Sequence, residues 1–351
     1  MKTLLSKLVG IYSKFNPLVY QMRYTSKTIK DKKKAIAFDN VDKTSRNKIE
    51  KQWGKLPEPE WFRFYYTVGD KTKIEKYIPD PLFYKYVDAK LNNWEVCKHI
   101  DDKGLYDLLF SDVNRPKTLA RVSGGLLLDE AYNIISITEL LNICSAYSQI
   151  IIKPSVGSSG GKGIVFLEKE NFHTLNSVLG NMSNCVIQEV IGQHRVLSDL
   201  HPESLNTIRI MTMLDDNEVR ILSSILRMGV GKSKVDNISS GGIACGIDEE
   251  GRLRDKAFNA KGICFKSHPE TGDFNGVLMP GFDKCIDVCK RTAPRFSRFS
   301  RLISWDFAIN ENSEPVLIEA NLYGGELDFH QMCNGPILGE SMELFNKFIK
   351  R

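Results

Sequence analysis

Four groups of residues in this 351-residue chain have the types and spacing to do chemistry. The first is Lys153-Pro-Ser-Val-Gly157-Ser158-Ser159-Gly160-Gly161-Lys162-Gly163, set between the apolar runs 149–153 and 163–167. Glycines let backbone N–H groups approach an anion closely, and serines add hydroxyl donors. Lys153, at the end of the first run, can place a charge on a phosphate. The loop is not a P-loop. Gly-x-x-x-x-Gly-Lys-Ser/Thr would need a glycine at Val156, and Lys162 is followed by Gly163. Gly231-Lys232-Ser233 fails likewise, with Leu226 where the first glycine belongs. The plain alternative for 153–163 is a mobile surface hairpin.

The second group is a hairpin of two strands, 303–310 and 314–321. Side chains alternate faces along a strand, so Glu319 and Asn321 share a face opposite Val316, Ile318 and Ala320. Asp306 lies on the opposite face from Trp305 and Phe307. Two carboxylates and an amide oxygen can therefore converge. Hard oxygen donors of this kind suit Mg²⁺, which a few carboxylates hold while substrate phosphates complete the octahedron. The alternative is a solvated acidic sheet face. The third group is the strand Val186-Ile-Gln188-Glu189-Val190-Ile191, whose free edge could offer backbone hydrogen bonds to a purine; an ordinary core strand reads the same way. The fourth is Arg209 and Arg227, within apolar stretches and costly there unless paired. Both are candidates for binding phosphate or a developing oxyanion. Asn206 and Asn237 stand nearby in sequence and read equally as turn or cap residues.

The elements that must position these groups form an α+β layout with mostly antiparallel strands. Residues 1–100 read as a helical, basic and aromatic-rich region broken at Leu56-Pro-Glu-Pro59 and Ile78-Pro-Asp-Pro81. Residues 101–187 carry short strands, helices and the glycine-rich loop. Residues 188–351 carry longer strands, a glycine- and proline-bearing segment at 250–282, a helix near 283–293, the hairpin and a last helix. No internal repeat is visible.

Composition narrows the classes. Hydrophobic residues make up 42% and charged residues 26%, which excludes wholesale disorder, a fibre or a small disulfide scaffold. The net charge of +5 is uneven: residues 1–56 hold 14 Lys/Arg against 4 Asp/Glu, and the remainder 34 against 39. A folded body without a basic stripe argues against a nucleic-acid partner. The eight cysteines include no CxxC and sit mostly in apolar contexts such as Ile-Ala-Cys245-Gly and Gly-Ile-Cys264-Phe, so buried free thiols are expected. No apolar run is long enough to span a bilayer, and residues 1–15 do not read as a signal peptide. Leu4, Leu5, Leu8, Ile11, Tyr12 and Phe15 share a helical stripe. The first expectation is a helix packed on the body; the second is one lying on an anionic membrane, aided by Lys30, Lys32, Lys33 and Lys34.

Taken in order, Asp102-Lys103, Lys153-Pro with Gly157–Gly161, Gln188–Ile191, Asp306, Glu319 and Asn321 resemble the ATP-grasp superfamily. Leu205-Asn-Thr-Ile-Arg209, His268-Pro-Glu-Thr-Gly272, Ser304-Trp-Asp306 and Glu319-Ala-Asn-Leu-Tyr-Gly-Gly-Glu-Leu-Asp328 resemble its sugar-transfer-associated subfamily, over about residues 100–340. The resemblance implies two α+β subdomains clasping ATP, preceded by the helical region. Lys103 and Lys153 would touch its phosphates, Ser158, Ser159, Gly160 and Gly161 would fold over them, and Gln188, Glu189, Val190 and Ile191 would hold adenine. Asp306, Glu319 and Asn321 would ligate Mg²⁺. Asn237, Gly324, Gly325 and Glu326 would face the acceptor. Relatives carry an Arg two residues before the metal-binding Asp, where this chain has Ser304, so Arg209 or Arg227 is expected to take its catalytic place. The acidic ribose ligand after the hinge strand is also missing, with Gln193 and His194 in its neighbourhood. The implied reaction joins a carboxylate acceptor (a sugar acid or amino acid of a surface polysaccharide) to an amine donor through an acyl phosphate. The alternatives are a kinase acting on a hydroxyl and a non-catalytic nucleotide-binding protein. A cytoplasmic enzyme, working free or at the inner face of the membrane, is implied; a homodimer is left open.

Overall fold

The computed structural model describes residues 16–53, 58–157 and 161–338. Helix α1 (Pro17–Ala35) starts where its residues say it should: the Asn16 side chain accepts from the Val19 N–H at 3.1 Å, and Pro17 occupies the first turn. It turns Gln21, Thr25, Ile29 and Lys32 inward. Lys32 is fully buried. It pairs with Asp328 at 2.9 Å, donates to the Ala260 carbonyl at 2.9 Å, and faces the Phe64 and Phe329 rings. A buried ammonium is tolerable only with such partners. This corrects the expectation that Lys32 serves an outer basic face. Lys33 is likewise engaged, with Glu60 at 2.8 Å. The apolar stripe expected at 4–15 lies outside the described residues.

Helices α2 (Lys43–Trp53) and α3 (Pro59–Val68) follow; α3 turns Trp61, Phe62, Phe64 and Tyr65 inward. These rings share one core with Ile225, Ala244 and Phe258 of the larger sheet and Phe329 beyond it. Residues 16–100 are thus built into the body rather than set apart from it. The region closes with α4 (Trp94–Ile100), capped by Asn93.

Two antiparallel sheets come next. The first has order β2-β1-β5-β3-β4, from β1 (Thr118–Ser123), β2 (Leu126–Asp129), β3 (Gln149–Pro154), β4 (Val165–Glu168) and β5 (Cys185–Glu189). Helix α5 (Ile137–Cys144) covers it, started by a Ser136/Glu139 capping box. Strand β5 pairs with both β1 and β3, so its edge is not free as the sequence suggested. Only the chain after Glu189 leaves the ladder.

Helix α6 (Arg195–Leu200), unforeseen in the sequence, leads to the second sheet. Its order is β10-β9-β8-β7-β6-β11-β12. The strands are β6 (Thr207–Asp215), β7 (Glu218–Met228), β8 (Ile243–Ile247), β9 (Leu253–Asn259), β10 (Cys264–Phe265), β11 (Leu302–Ile309) and β12 (Pro315–Asn321). β9 and β10 lie inside the segment that reads as loop. Cys264, on β10, is exposed, against expectation; the other seven cysteines are buried and all eight are free thiols. α7 (Phe282–Thr292) covers this sheet's main core, and α8 (Leu327–Asn334) joins the core of the helical region. No helix among the described residues is long and apolar enough to cross a membrane.

Candidate active site

The cleft between the two sheets holds a cavity to which both contribute. From the smaller sheet comes Lys153, on the face of β3 opposite the core residues Ile150 and Ile152. Lys103 sits in a short turn where Asp102 accepts from the Gly104 N–H at 2.7 Å, and its own N–H donates to the Ser155 carbonyl at 3.0 Å. The turn thereby lies beside the end of β3.

From the larger sheet comes a row of directly opposed residues. Glu319 faces Asp306 across β12 and β11, and Asp306 faces Arg209 across β11 and β6. Opposed residues share a face, so the three converge. The Arg209 guanidinium grips Asp306 in a fork, Nε to Oδ1 and Nη2 to Oδ2 both at 2.7 Å, and also binds Glu326. Arg227 approaches Asp306 at 3.2 Å and Asp236 at 3.2 Å, and donates to Thr207 Oγ1. Both arginines are thus paired, as their burial demands. Burial alone would raise the Asp306 pKa; Arg209 and Arg227 outweigh it and hold it below the usual carboxylate range. Ser304 is buried with its hydroxyl against Gly325, so the guanidiniums facing Asp306 come from neighbouring strands instead.

Five cations line the cavity: Lys103, Lys153, Arg209, Arg227 and Lys234. Lys103 binds Glu319 Oε1 at 2.6 Å. Burial lowers its pKa, but Glu319 foremost and then Asp101 and Asp306 raise it further, leaving it above the ordinary value. Lys153 makes no ion pair among the described residues. Burial, then the like charge of Lys103, brings its pKa down to about 8. Lys234, also without an ion pair among the described residues, stands over the Phe166 ring at 5.5 Å. Unpaired lysines in a cleft form an anion site.

Apolar residues line the same cavity, among them Ile151 on the strand face of Lys153, Phe166 beneath Lys234, and Val190, Ile191 and Leu205. Such a lining suits a flat heterocycle. Val190 and Ile191 belong to the segment past the ladder, where backbone groups become available. Glu189 lines the cavity too, while its side chain also accepts from the Lys117 N–H at 2.8 Å. Gln188 does not line it; it is buried in the ladder with its amide on Thr118 Oγ1 at 3.4 Å.

The other sequence candidates divide similarly. Asn237, Gly324 and Glu326 line the cavity, and Gly325 does not. Ser158, Ser159 and Gly160 lie outside the described residues. Gly161 lines the cavity with φ +71°, and a Cβ there would stand 3.0 Å from Asn237 Oδ1, so the glycine-rich loop ends against the 230–237 segment. Gln193 and His194 are structural: Gln193 donates to the His201 and Ser204 carbonyls, and His194 caps α6. Asn206 is a turn anchor, donating to the Leu197 and His201 carbonyls. Thr207, Lys234 and Asp236 are cavity residues that the sequence did not single out. The signal for Lys234 was present in Gly231-Lys232-Ser233-Lys234, which fails only as a P-loop.

Glu319 and Asn321 line the cavity, Glu319 with one oxygen on Lys103, whereas Asp306 does not line it and has both oxygens on guanidiniums. No cluster of three or more His, Cys, Asp or Glu suited to a metal occurs among the described residues. Two hard donors at the cavity wall fit Mg²⁺, which needs few protein ligands when phosphate supplies the rest.

Residues 84–347 match the family model described as sugar-transfer associated ATP-grasp. No curated protein matches the chain. Among solved structures, D-cycloserine synthetase DcsG aligns with a TM-score of 0.44 at 11% identity, over 73% of this chain and 73% of that one. The ATP-grasp ligase PsnB in complex with a minimal precursor gives 0.42 at 13% identity, over 73% and 63%. D-alanyl-alanine synthetase A from Vibrio cholerae gives 0.41 at 11% identity, over 78% and 66%. This chain spans just under two thirds of the length of these last two.

Proposed function

This chain belongs to the sugar-transfer-associated ATP-grasp family, and on that premise we propose that it is an ATP- and Mg²⁺-dependent ligase joining a carboxylate to an amine. The observation that carries the reading is that two lysines without ion pairs among the described residues, Lys153 and Lys234, line one cavity together with a set of apolar side chains. A triphosphate and its base need both.

In this reading Lys103, Lys153 and Lys234 hold the phosphates, with Ser158, Ser159, Gly160 and Gly161 above them. Glu189, Val190 and Ile191 border the base, with Gln188 fixing their strand. Glu319 and Asn321, backed by Asp306, would hold Mg²⁺, which when bound neutralises charge on the transferred phosphoryl group. An acceptor carboxylate oxygen attacks the γ-phosphorus, and the bond to the β-phosphate oxygen breaks, giving an acyl phosphate and ADP. The amine nitrogen then attacks the acyl carbon. Phosphate leaves, the nitrogen gives up a proton, and an amide remains. Arg209 and Arg227 stabilise negative charge on the acyl side, and no protein nucleophile takes part. Asn237, Gly324 and Glu326 border the acceptor, with Gly325 holding their loop against Ser304.

The acceptor in this reading is a sugar acid or amino acid of a surface polysaccharide, handled in the cytoplasm; the words sugar-transfer in the family's description favour the sugar. The test is to incubate the protein with ATP, Mg²⁺, uronic acids and amino acids. Amide and ADP are expected. A phosphorylated sugar would make it a kinase, and ATP binding without turnover would make it a binding protein.

A further inference from the structure

The outward face of α1 carries chemistry that the cavity does not use. Tyr20, Arg23, Lys27, Lys30 and Lys34 are exposed, while Gln21, Thr25, Ile29 and Lys32 point inward. At 3.6 residues per turn the exposed set falls in one arc opposite Thr25. Lys27 and Lys30 make no ion pair among the described residues, and Lys34 has only the exposed Asp31 at 3.3 Å. Tyr20 is 53% exposed and stacks on Tyr24 with ring centres 6.4 Å apart.

Long basic side chains beside an exposed aromatic pair suit the headgroup boundary of a bilayer. Their methylene stems and rings settle among glycerol and acyl groups while the charges meet phosphate. A nucleic acid would need a basic track continuing over the body, and beyond residue 56 acids outnumber Lys/Arg, 39 to 34. The opposite, inward face of the same helix adjoins the acceptor side of the cavity: Gln21 Nε2 stands 2.8 Å from where a Cβ of Gly324 would be, so one helix separates that side from the basic face.

We propose that α1 docks this chain on a bilayer containing anionic phospholipid. The Gly324–Glu326 side of the cavity then lies within about one helix diameter, roughly 10 Å, of the lipid headgroups. An acceptor carried on a lipid reaches it without leaving the surface. That last benefit rests on the ligase reading; the docking does not.

The test is sedimentation of the full chain, without ATP or acceptor, with phosphatidylglycerol-containing vesicles and with pure phosphatidylcholine vesicles. Binding is expected to the first and not the second. The triple variant Lys27→Gln, Lys30→Gln, Lys34→Gln should bind on the order of 100-fold more weakly, with an unchanged melting temperature and ATP affinity. Unchanged binding by that variant, equal binding to both vesicles, or binding to an oligonucleotide but to neither vesicle overturns the proposal. Because no turnover is measured, an inactive ligase leaves the result readable.

Discussion

Lys103 and Glu319, 216 residues apart in sequence, meet at 2.6 Å across the cleft between the sheets. Each neutralises the other where a phosphate and a metal would compete for both. Glu319→Gln should therefore lower turnover by on the order of 100-fold or more while the protein stays folded. Lys103→Met should weaken ATP binding roughly tenfold to 100-fold. Calorimetric titration and a turnover assay check both, and a fully active Glu319→Gln would remove the metal assignment.

Lys153 gives a pH signature. A lysine whose pKa falls on folding, here to about 8, opposes the folded state wherever it is protonated. The penalty is whole below pH 8 and fades as pH rises from there toward 10.5, the ordinary lysine value. Lys153→Met should melt above the parent at about pH 7, and the gap should close by about pH 10. A bound triphosphate favours the ammonium, so ATP binding should take up protons at about pH 9 and weaken as pH climbs past about 8. Titrations in buffers of different ionisation enthalpy measure that uptake.

Arg209 and Asp306 form a buried fork. Removing one side strands the other. Arg209→Met should destabilise the fold by about 3 kcal/mol, read by denaturant unfolding. Adding Asp306→Asn should recover part of that loss without recovering activity, because Arg227 keeps Thr207 and Asp236 as partners.

Gly324 has φ +72°, and a methyl there would meet Gln21 Nε2. Gly324→Ala should displace the 323–326 loop, raising the acceptor KM roughly tenfold. ATP affinity should not change. Pairing it with Gln21→Ala relieves the contact but not the backbone strain, so rescue should be partial.

How much of this was readable depended on whether the deciding contact was local. The hairpin 302–321 announces itself, and alternation puts Glu319 and Asn321 on one face with Ala320 on the other. Ile318, expected beside Ala320, lines the cavity with Glu319 instead, because the pairing slips by one residue between Glu319 and Leu317, a bulge that no sequence pattern marks. β3 and β4 are visible as short apolar runs on either side of the glycine-rich loop. β9 was hidden by three consecutive exposed residues, Arg254, Asp255 and Lys256, which erase the alternation. The edge of β5 reads as free in the sequence because its neighbour β1 lies some seventy residues earlier. Lys32 looked like surface because its partners, Asp328 and Ala260, are more than two hundred residues away. Asp236 and Lys234 cannot be aimed at the cavity from sequence, because a loop offers no periodicity from which to infer a direction.

The burial of Lys32 against Asp328 bears on how this protein can be cut. The family match begins at residue 84, yet the hydrophobic interior it needs reaches back to Ile29. A fragment trimmed to the family's borders would bare Ile225, Ala244, Phe258 and Phe329 to water and leave Asp328 without its counter-ion. Expression boundaries for this protein belong upstream of Pro17, and insolubility of a shorter piece would reflect a severed core rather than a faulty enzyme.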